Sequence, residues 1–186
     1  RSAVIVFPDV NDLVNNWFSS LAEDSAIVAN SVVDRVDSKL PVYLKIPKIN
    51  VEAVVESIGF TKKGIMETPE YIINVAWFNL GPSPGEKGSA VIVGHYGWRD
   101  GIPAVFDDLH KLQEGDKIYV KNGKGENLSF VVDKIAVYKK DDNTDEVFSS
   151  TDGRAHLNLI TCTGNWNKAK QTYDNRLVVF TDRVDR

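Results

Sequence analysis

From residue 40 onward the chain is a succession of short runs rich in valine, isoleucine, leucine and tyrosine, each cut off by glycine, proline or charged residues. Runs of this length and composition read as strands, and the punctuation between them as turns. The predicted strands are Val42–Ile46, Val51–Ser57, Ala90–Gly94, Lys117–Val120, Leu128–Val137, Leu157–Thr161 and Leu177–Asp182. Asn50 sits in a tight connection between the first two, Gly81–Gly88 is a loop, and Asn122-Gly123 marks a hairpin. Phe106–Leu112 reads as a short helical turn that Glu114-Gly115-Asp116 ends. Many short strands with few helices favour a closed or nearly closed barrel. Residues 40–186 are therefore expected to form one all-β barrel domain.

The first forty residues have a different texture. Val10, Leu13, Val14, Trp17, Phe18 and Leu21 recur at helical spacing, and Asp9 can cap the helix they predict. A second apolar set runs from Ile27 through Val28, Val32, Val33 and Val36. Residues 1–39 are expected to be a helical appendage or linker that either packs its stripe on the main domain or covers a cleft.

Charge and cysteine content narrow the function classes. The net charge is -4 and no lysine or arginine run is present, which gives no reason to expect nucleic acid or a lipid-binding patch. No stretch is long and apolar enough to span a membrane. The one cysteine, Cys162, cannot form an internal disulfide. A lone cysteine can be a buried, inert small hydrophobe. Its surroundings point elsewhere. It follows the strand ending in Thr161, and Thr163-Gly164-Asn165 are expected to turn the chain directly after it, so it should be presented at a rim.

His95 ends the apolar strand Ala90–Gly94, and Gly94 leaves room beside the imidazole for another group. His110 and His156 read as surface residues, and no metal-ligand spacing involves any histidine with Cys162. Arg176 begins a strand 14 positions after Cys162, a spacing that permits an adjacent antiparallel strand with both side chains on one face. A thiolate nucleophile needs a base or cation, oxyanion donors and an acid for the leaving group. Cysteine, histidine and arginine supply those types.

These surroundings resemble the sortase family of cysteine transpeptidases. Leu159-Ile160-Thr161-Cys162 matches the last four positions of the family's T-L-x-T-C motif, with Asn158 standing where the family has threonine. Gly94-His95 resembles the family's histidine segment, and Asn175-Arg176-Leu177-Val178-Val179 its arginine strand. Ala76-Trp77-Phe78, Pro84 through His95, Phe106 through Leu112 and Pro41 through Val55 extend the resemblance over roughly residues 40 to 184. Gly101–Phe106 is similar to the class F group, with classes D and E next.

The resemblance implies a closed eight-stranded sortase-type β-barrel with short helices. It implies an enzyme that cuts a Leu-Pro-x-Thr-Gly sorting signal between Thr and Gly and passes the acyl group to an amine. Cys162 would be the nucleophile, His95 the general acid/base and Arg176 the oxyanion stabiliser. Thr161, Thr163, Tyr96 and Trp98 are candidate substrate-binding residues, with Tyr96–Asp100 either a cleft wall or a surface loop. Expected partners are the sorting-signal peptide of secreted surface proteins and an amine such as lipid II or a pilin lysine. The expected place is the outer face of the membrane of Gram-positive-type bacteria, through a tether outside this chain. Phe7-Pro8-Asp9 holds the residue types of the family's Asp-Pro-aromatic lid motif in another order and is not read as that motif. No cofactor is expected; Asp141-Asp142, Asp145 and Glu146 form an acidic loop that could hold calcium but reads as solvated. A cysteine hydrolase using water, or a non-catalytic binding domain with a packed Cys162, stay open as alternatives. The L,D-transpeptidase group is set apart by its His-Gly-Cys context, which Thr161-Cys162-Thr163 does not match.

Overall fold

The structure, a computed structural model, describes residues 40–139, 142–169 and 172–184. The appendage expected over residues 1–39 lies outside the described residues. Among the described residues the strands are β1 (Pro41–Ile46), β2 (Val51–Ile58), β3 (Val75–Phe78), β4 (Gly88–Gly94), β5 (Trp98–Arg99), β6 (Ile102–Pro103), β7 (Lys117–Asn122), β8 (Asn127–Lys139), β9 (Ala155–Asn167) and β10 (Thr172–Val184). Eight of them close into a barrel in the order β1-β2-β3-β4-β9-β10-β8-β7, and β5 and β6 form a separate hairpin. The pairs β2–β3 and β4–β9 are parallel and the other barrel pairs antiparallel. The helical pieces are short: one turn, α1 (Asp145–Phe148), and 3-10 turns at Pro47–Ile49 and Leu109–Lys111.

All seven predicted strands are present, and Asn50 makes its tight connection with φ of 53°. The turn signal at Asn122-Gly123 works through the asparagine side chain. Asn122 Oδ1 accepts from the backbone N–H groups of Lys124 and Glu126, each at 3.0 Å, while Gly125 takes the positive φ of 82°.

Strand β3 was not among the strands predicted from residue pattern. It is four residues long, and all four are buried. Val75 and Trp77 face the barrel core, while Ala76 and Phe78 face an outer apolar cluster. A strand buried on both sides has no alternation to read, and four residues are too few to separate from a loop.

The same double burial explains the continuous apolar runs of β4, β9 and β10. Ala90, Ile92, Leu157, Leu159, Leu177 and Val179 point into the barrel. Their neighbours Val91 and Val93 join an outer cluster with Ile58, Phe60, Met66, Phe78 and Ile160. Val178 and Phe180 join a second outer cluster with Tyr138 and Val147 of α1. Strands covered on both faces read as apolar runs, as parallel-sheet strands do. On the uncovered side of the barrel, β1 and β7 keep the alternating pattern because one face meets solvent.

Asn158, the departure from the family motif, is an outward position within this covered face. It is buried, and its Nδ2 donates to the carbonyl of Val147 at 2.7 Å, fastening α1 to β9. A buried amide needs such a partner.

Phe106 plugs the barrel beneath β4. It is fully buried, and its backbone N–H donates to the His95 carbonyl at 3.1 Å. The room that Gly94 leaves beside the histidine is filled by this ring: a Cβ on residue 94 would lie 2.4 Å from Phe106 Cδ2. Gly94→Ala must therefore push Phe106 out of its seat. The expected cost is about 1–3 kcal/mol in urea unfolding, by overpacking, with turnover lost alongside because His95 is the next residue.

Candidate active site

Cys162 is the eighth residue of the thirteen in β9, not a residue at its end. Thr163, Gly164 and Asn165 do not turn the chain as expected. They continue the strand, and a bulge sets Gly164 and Asn165 against Asp174 of β10. Gly164 takes a φ of 89° there, and a Cβ on it would come within 3.0 Å of the Asn175 side chain. Beyond the core the β9–β10 ribbon is held by its ladder and by the Trp166–Tyr173 pair, so it carries no continuous apolar run in sequence.

The period of two then decides the face. Leu157, Leu159 and Thr161 point inward, so Asn158, Ile160 and Cys162 point outward. Cys162 pairs directly with Arg176 across the β9–β10 ladder, so both side chains stand on this outer face. Arg176 is the fifth residue of β10 rather than its first. On the other side, β4 pairs in parallel with β9 through Val93 and Ile160. The next outward positions along the two strands are His95 and Cys162. The register thus sets the three residues on the outside of the barrel, at the upper end of the apolar floor made by Val91, Val93 and Ile160.

Each is held differently. Arg176 folds along its own strand: Nη1 donates to the carbonyls of Tyr173 at 3.0 Å and Asn175 at 2.9 Å, and Nη2 to Thr172 Oγ1 at 3.3 Å. Of the five guanidinium protons, Nε–H and one Nη2–H have no acceptor among the described residues. His95 Nε2 lies 2.7 Å from the carbonyl oxygen of Pro69 in the β2–β3 connection. The Cys162 thiol is half-buried. Burial pushes it above the ordinary thiol range, and the Arg176 charge works against that shift.

Among the remaining candidates, Thr161 is buried rather than presented to a substrate. Its hydroxyl donates to the Gly94 carbonyl at 2.8 Å, which ties β9 to the residue before the histidine. Thr163 pairs with Asn175 and is half-buried. Tyr96 packs edge-on against Tyr173 with centroids 5.2 Å apart, and Tyr173 packs in turn against Trp166 at 5.1 Å. Trp98 is on the β5–β6 hairpin, 67% exposed, with Nε1 donating to Asp107 Oδ2 at 3.0 Å. Asp100 and Gly101 both take positive φ at the tip, so the residues expected to form a wall or a surface loop form a tight hairpin.

Sequence reasoning did not single out Glu56, Pro69, Asp107 or Tyr173. Asp107 Oδ1 accepts from Gly97 N–H at 3.1 Å while Oδ2 holds Trp98, so one carboxylate fixes the segment after the histidine. An acidic residue in a polar turn carries no local mark of such a task.

His156 is not the surface residue expected. Its side chain is 14% exposed, and its Nδ1 meets Asp182 at 2.8 Å while Nε2 meets Asp152 at 3.0 Å. Arg154 joins both carboxylates. Together the His156 and Arg154 contacts hold Asp152 well below the usual carboxylate range. Of the acidic loop, Glu146 is taken up by Lys134 at 2.7 Å and by the Tyr138 hydroxyl.

The chain matches the family described as Sortase domain over residues 44–184. No curated protein sequence matches it. Among solved structures it is similar to sortase C-1 from Streptococcus pneumoniae, with 29% identity and a TM-score of 0.59, covering 77% of this chain and 66% of that one. Sortase C-1 from Actinomyces oris is similar at 26% identity and a TM-score of 0.62, over 82% of this chain and 75% of that one. A lid mutant of sortase A from Corynebacterium diphtheriae shares the fold at 23% identity and a TM-score of 0.62, over 95% and 92% of the two chains. The chain thus spans about two-thirds of the length of the pneumococcal protein.

Proposed function

The chain belongs to the sortase family of cysteine transpeptidases, and from that premise we propose that it cleaves a Leu-Pro-x-Thr-Gly sorting signal between Thr and Gly and joins the new carboxyl end to an amine. Cys162 is the nucleophile, His95 the general acid/base and Arg176 the oxyanion stabiliser. The observation that carries this reading is the direct cross-strand pairing of Cys162 with Arg176 on an outward face, level with His95 and above an apolar floor. That floor suits the leucine and proline of a sorting peptide laid along the strands, which would leave the threonine carbonyl at the thiol.

In the first half-reaction neutral His95 takes the thiol proton as the Cys162 sulfur attacks the threonine carbonyl carbon. The carbonyl oxygen becomes an oxyanion, which the free Nε–H and Nη2–H of Arg176 can meet. The C–N bond breaks, and protonated His95 gives its proton to the departing glycine amine. A thioester remains on Cys162. In the second half-reaction an acceptor amine attacks the thioester carbon, His95 takes the amine proton, and as the C–S bond breaks His95 returns that proton to the Cys162 sulfur. The acceptor is an amine of a wall precursor such as lipid II, or a pilin lysine. The site of action is the outer cell surface.

The test mixes the enzyme with a Leu-Pro-x-Thr-Gly peptide and triglycine. The expected product is the ligated peptide, with a thioester on Cys162 trapped by mass spectrometry. Free acid alone would favour a hydrolase. No adduct at Cys162 would remove both readings.

A further inference from the structure

The β2–β3 connection, residues 59–74, is an irregular stretch that nonetheless delivers one backbone atom to the site. That atom is the Pro69 carbonyl oxygen, 2.7 Å from His95 Nε2. A carbonyl only accepts, so the nitrogen facing it must carry a hydrogen. The ring is thereby set as the Nε2–H tautomer when neutral. The bond persists when the ring is protonated, because both nitrogens then donate. Proton exchange falls to Nδ1.

The residues that follow Pro69 are tied down by one carboxylate. Glu56 Oε2 accepts from Glu70 N–H at 2.7 Å, and Oε1 accepts from Asn74 Nδ2 at 2.8 Å and from Tyr71 N–H at 3.4 Å. The residue directly after Pro69 is thus tied to β2. The loop is fastened from its other side by Val105 N–H, which donates to the Ile72 carbonyl at 3.0 Å. The next residue, Phe106, donates to the His95 carbonyl. Ring and backbone of His95 are therefore gripped by one circuit that starts at Glu56. Burial alone would raise the Glu56 carboxyl. The donors from Glu70, Asn74 and Tyr71 and the charge of His95 outweigh it and hold the carboxyl below its ordinary value.

We propose that Glu56 is a positioning residue for His95, acting through the loop it organises: it holds the Pro69 carbonyl where that atom fixes the Nε2–H tautomer and leaves Nδ1 to exchange the proton. This rests on the reading of His95 as the general acid/base. The negative charge of Glu56 is also close enough to interact with the His95 ring that becomes an imidazolium in the reaction cycle.

The test compares wild type, Glu56→Ala, Glu56→Gln and His95→Ala. Long-range 1H–15N correlation on histidine-labelled protein reads the tautomer of His95 directly. Wild type should show Nε2–H. Glu56→Ala should show a mixed tautomer and a kcat for peptide cleavage lower by about tenfold to a hundredfold, the scale of misplacing a catalytic group, with the peptide KM within about twofold. Glu56→Gln keeps one acceptor oxygen and should fall between. Should Glu56→Ala fail to fold, Glu56→Gln is judged by the same two readouts. An Nδ1–H tautomer in wild type, or normal tautomer and kcat in the folded Glu56 variants while His95→Ala is inactive, overturns the proposal alone. A fully active His95→Ala overturns the functional reading together with it.

Discussion

Cys162→Ala is expected to remove peptide cleavage altogether, with kcat down by roughly 10⁴-fold or more. The thiol is the atom to which the acyl group would attach, and the chain contains no second cysteine to stand in for it. The same change should leave the fold intact. The residue is half-buried on the outer face, where the barrel core does not depend on it. A stability change of no more than about 1 kcal/mol is expected, as for other substitutions that open no core cavity. Loss of the covalent adduct with unchanged thermal unfolding would meet the expectation, and residual cleavage above a few per cent would refute the role. The raised thiol pKa adds a pH sign. In the free enzyme the thiol stays protonated through neutral pH. Alkylation of Cys162 should therefore be slow at pH 7 and climb as pH rises through and above the ordinary thiol range.

Arg176→Ala should lower kcat by about 10²–10³-fold, the scale of removing an oxyanion donor, while the peptide KM changes little. The reason is geometric. Arg176 stands opposite Cys162 in register, and three of its protons are spent on Tyr173, Asn175 and Thr172, which hold the guanidinium still. Arg176→Lys should not restore the rate. An ammonium has three protons on one atom and cannot hold two backbone carbonyls and Thr172 while still meeting a substrate oxygen. Both variants also bear on the thiol. Arg176 is the charge that offsets the burial of Cys162, so Arg176→Ala should push the thiol higher and slow its alkylation at a fixed pH, whereas Arg176→Lys should keep part of that effect. Wild-type turnover in Arg176→Ala would break the proposed site.

The fold was legible where one side of a strand meets water. β1 and β7 alternate, Asn50 marks its turn by taking the left-handed backbone conformation asparagine tolerates, and Asn122 marks its own through side-chain bonds within four residues. The longer apolar runs of β4, β9 and β10 were legible too, but β3, only four residues buried on both sides, was not, nor was the β9–β10 ribbon beyond Cys162, whose polar residues continue the ladder. The mistaken turn at Thr163-Gly164-Asn165 has the same origin. Glycine and asparagine there serve a bulge rather than a reversal, and only the partner strand distinguishes the two. His156 was misjudged because Asp182, one of its two partners, is 26 residues away.

By itself the sequence determined the architecture, a closed β-barrel, and singled out His95, Cys162 and Arg176, in that order along the chain, as the candidate site. These follow from local patterns, the composition of strands and the short motifs around each residue. The tertiary structure decided the rest. It put the three residues on the outer face, filled the room beside Gly94 with Phe106, and turned the histidine ring to a carbonyl that Glu56 holds in place. Each of these depends on residues brought together by strand pairing and loop packing. Such meetings are set by the summed burial and hydrogen bonding of the whole barrel, and no stretch of neighbouring residues encodes them.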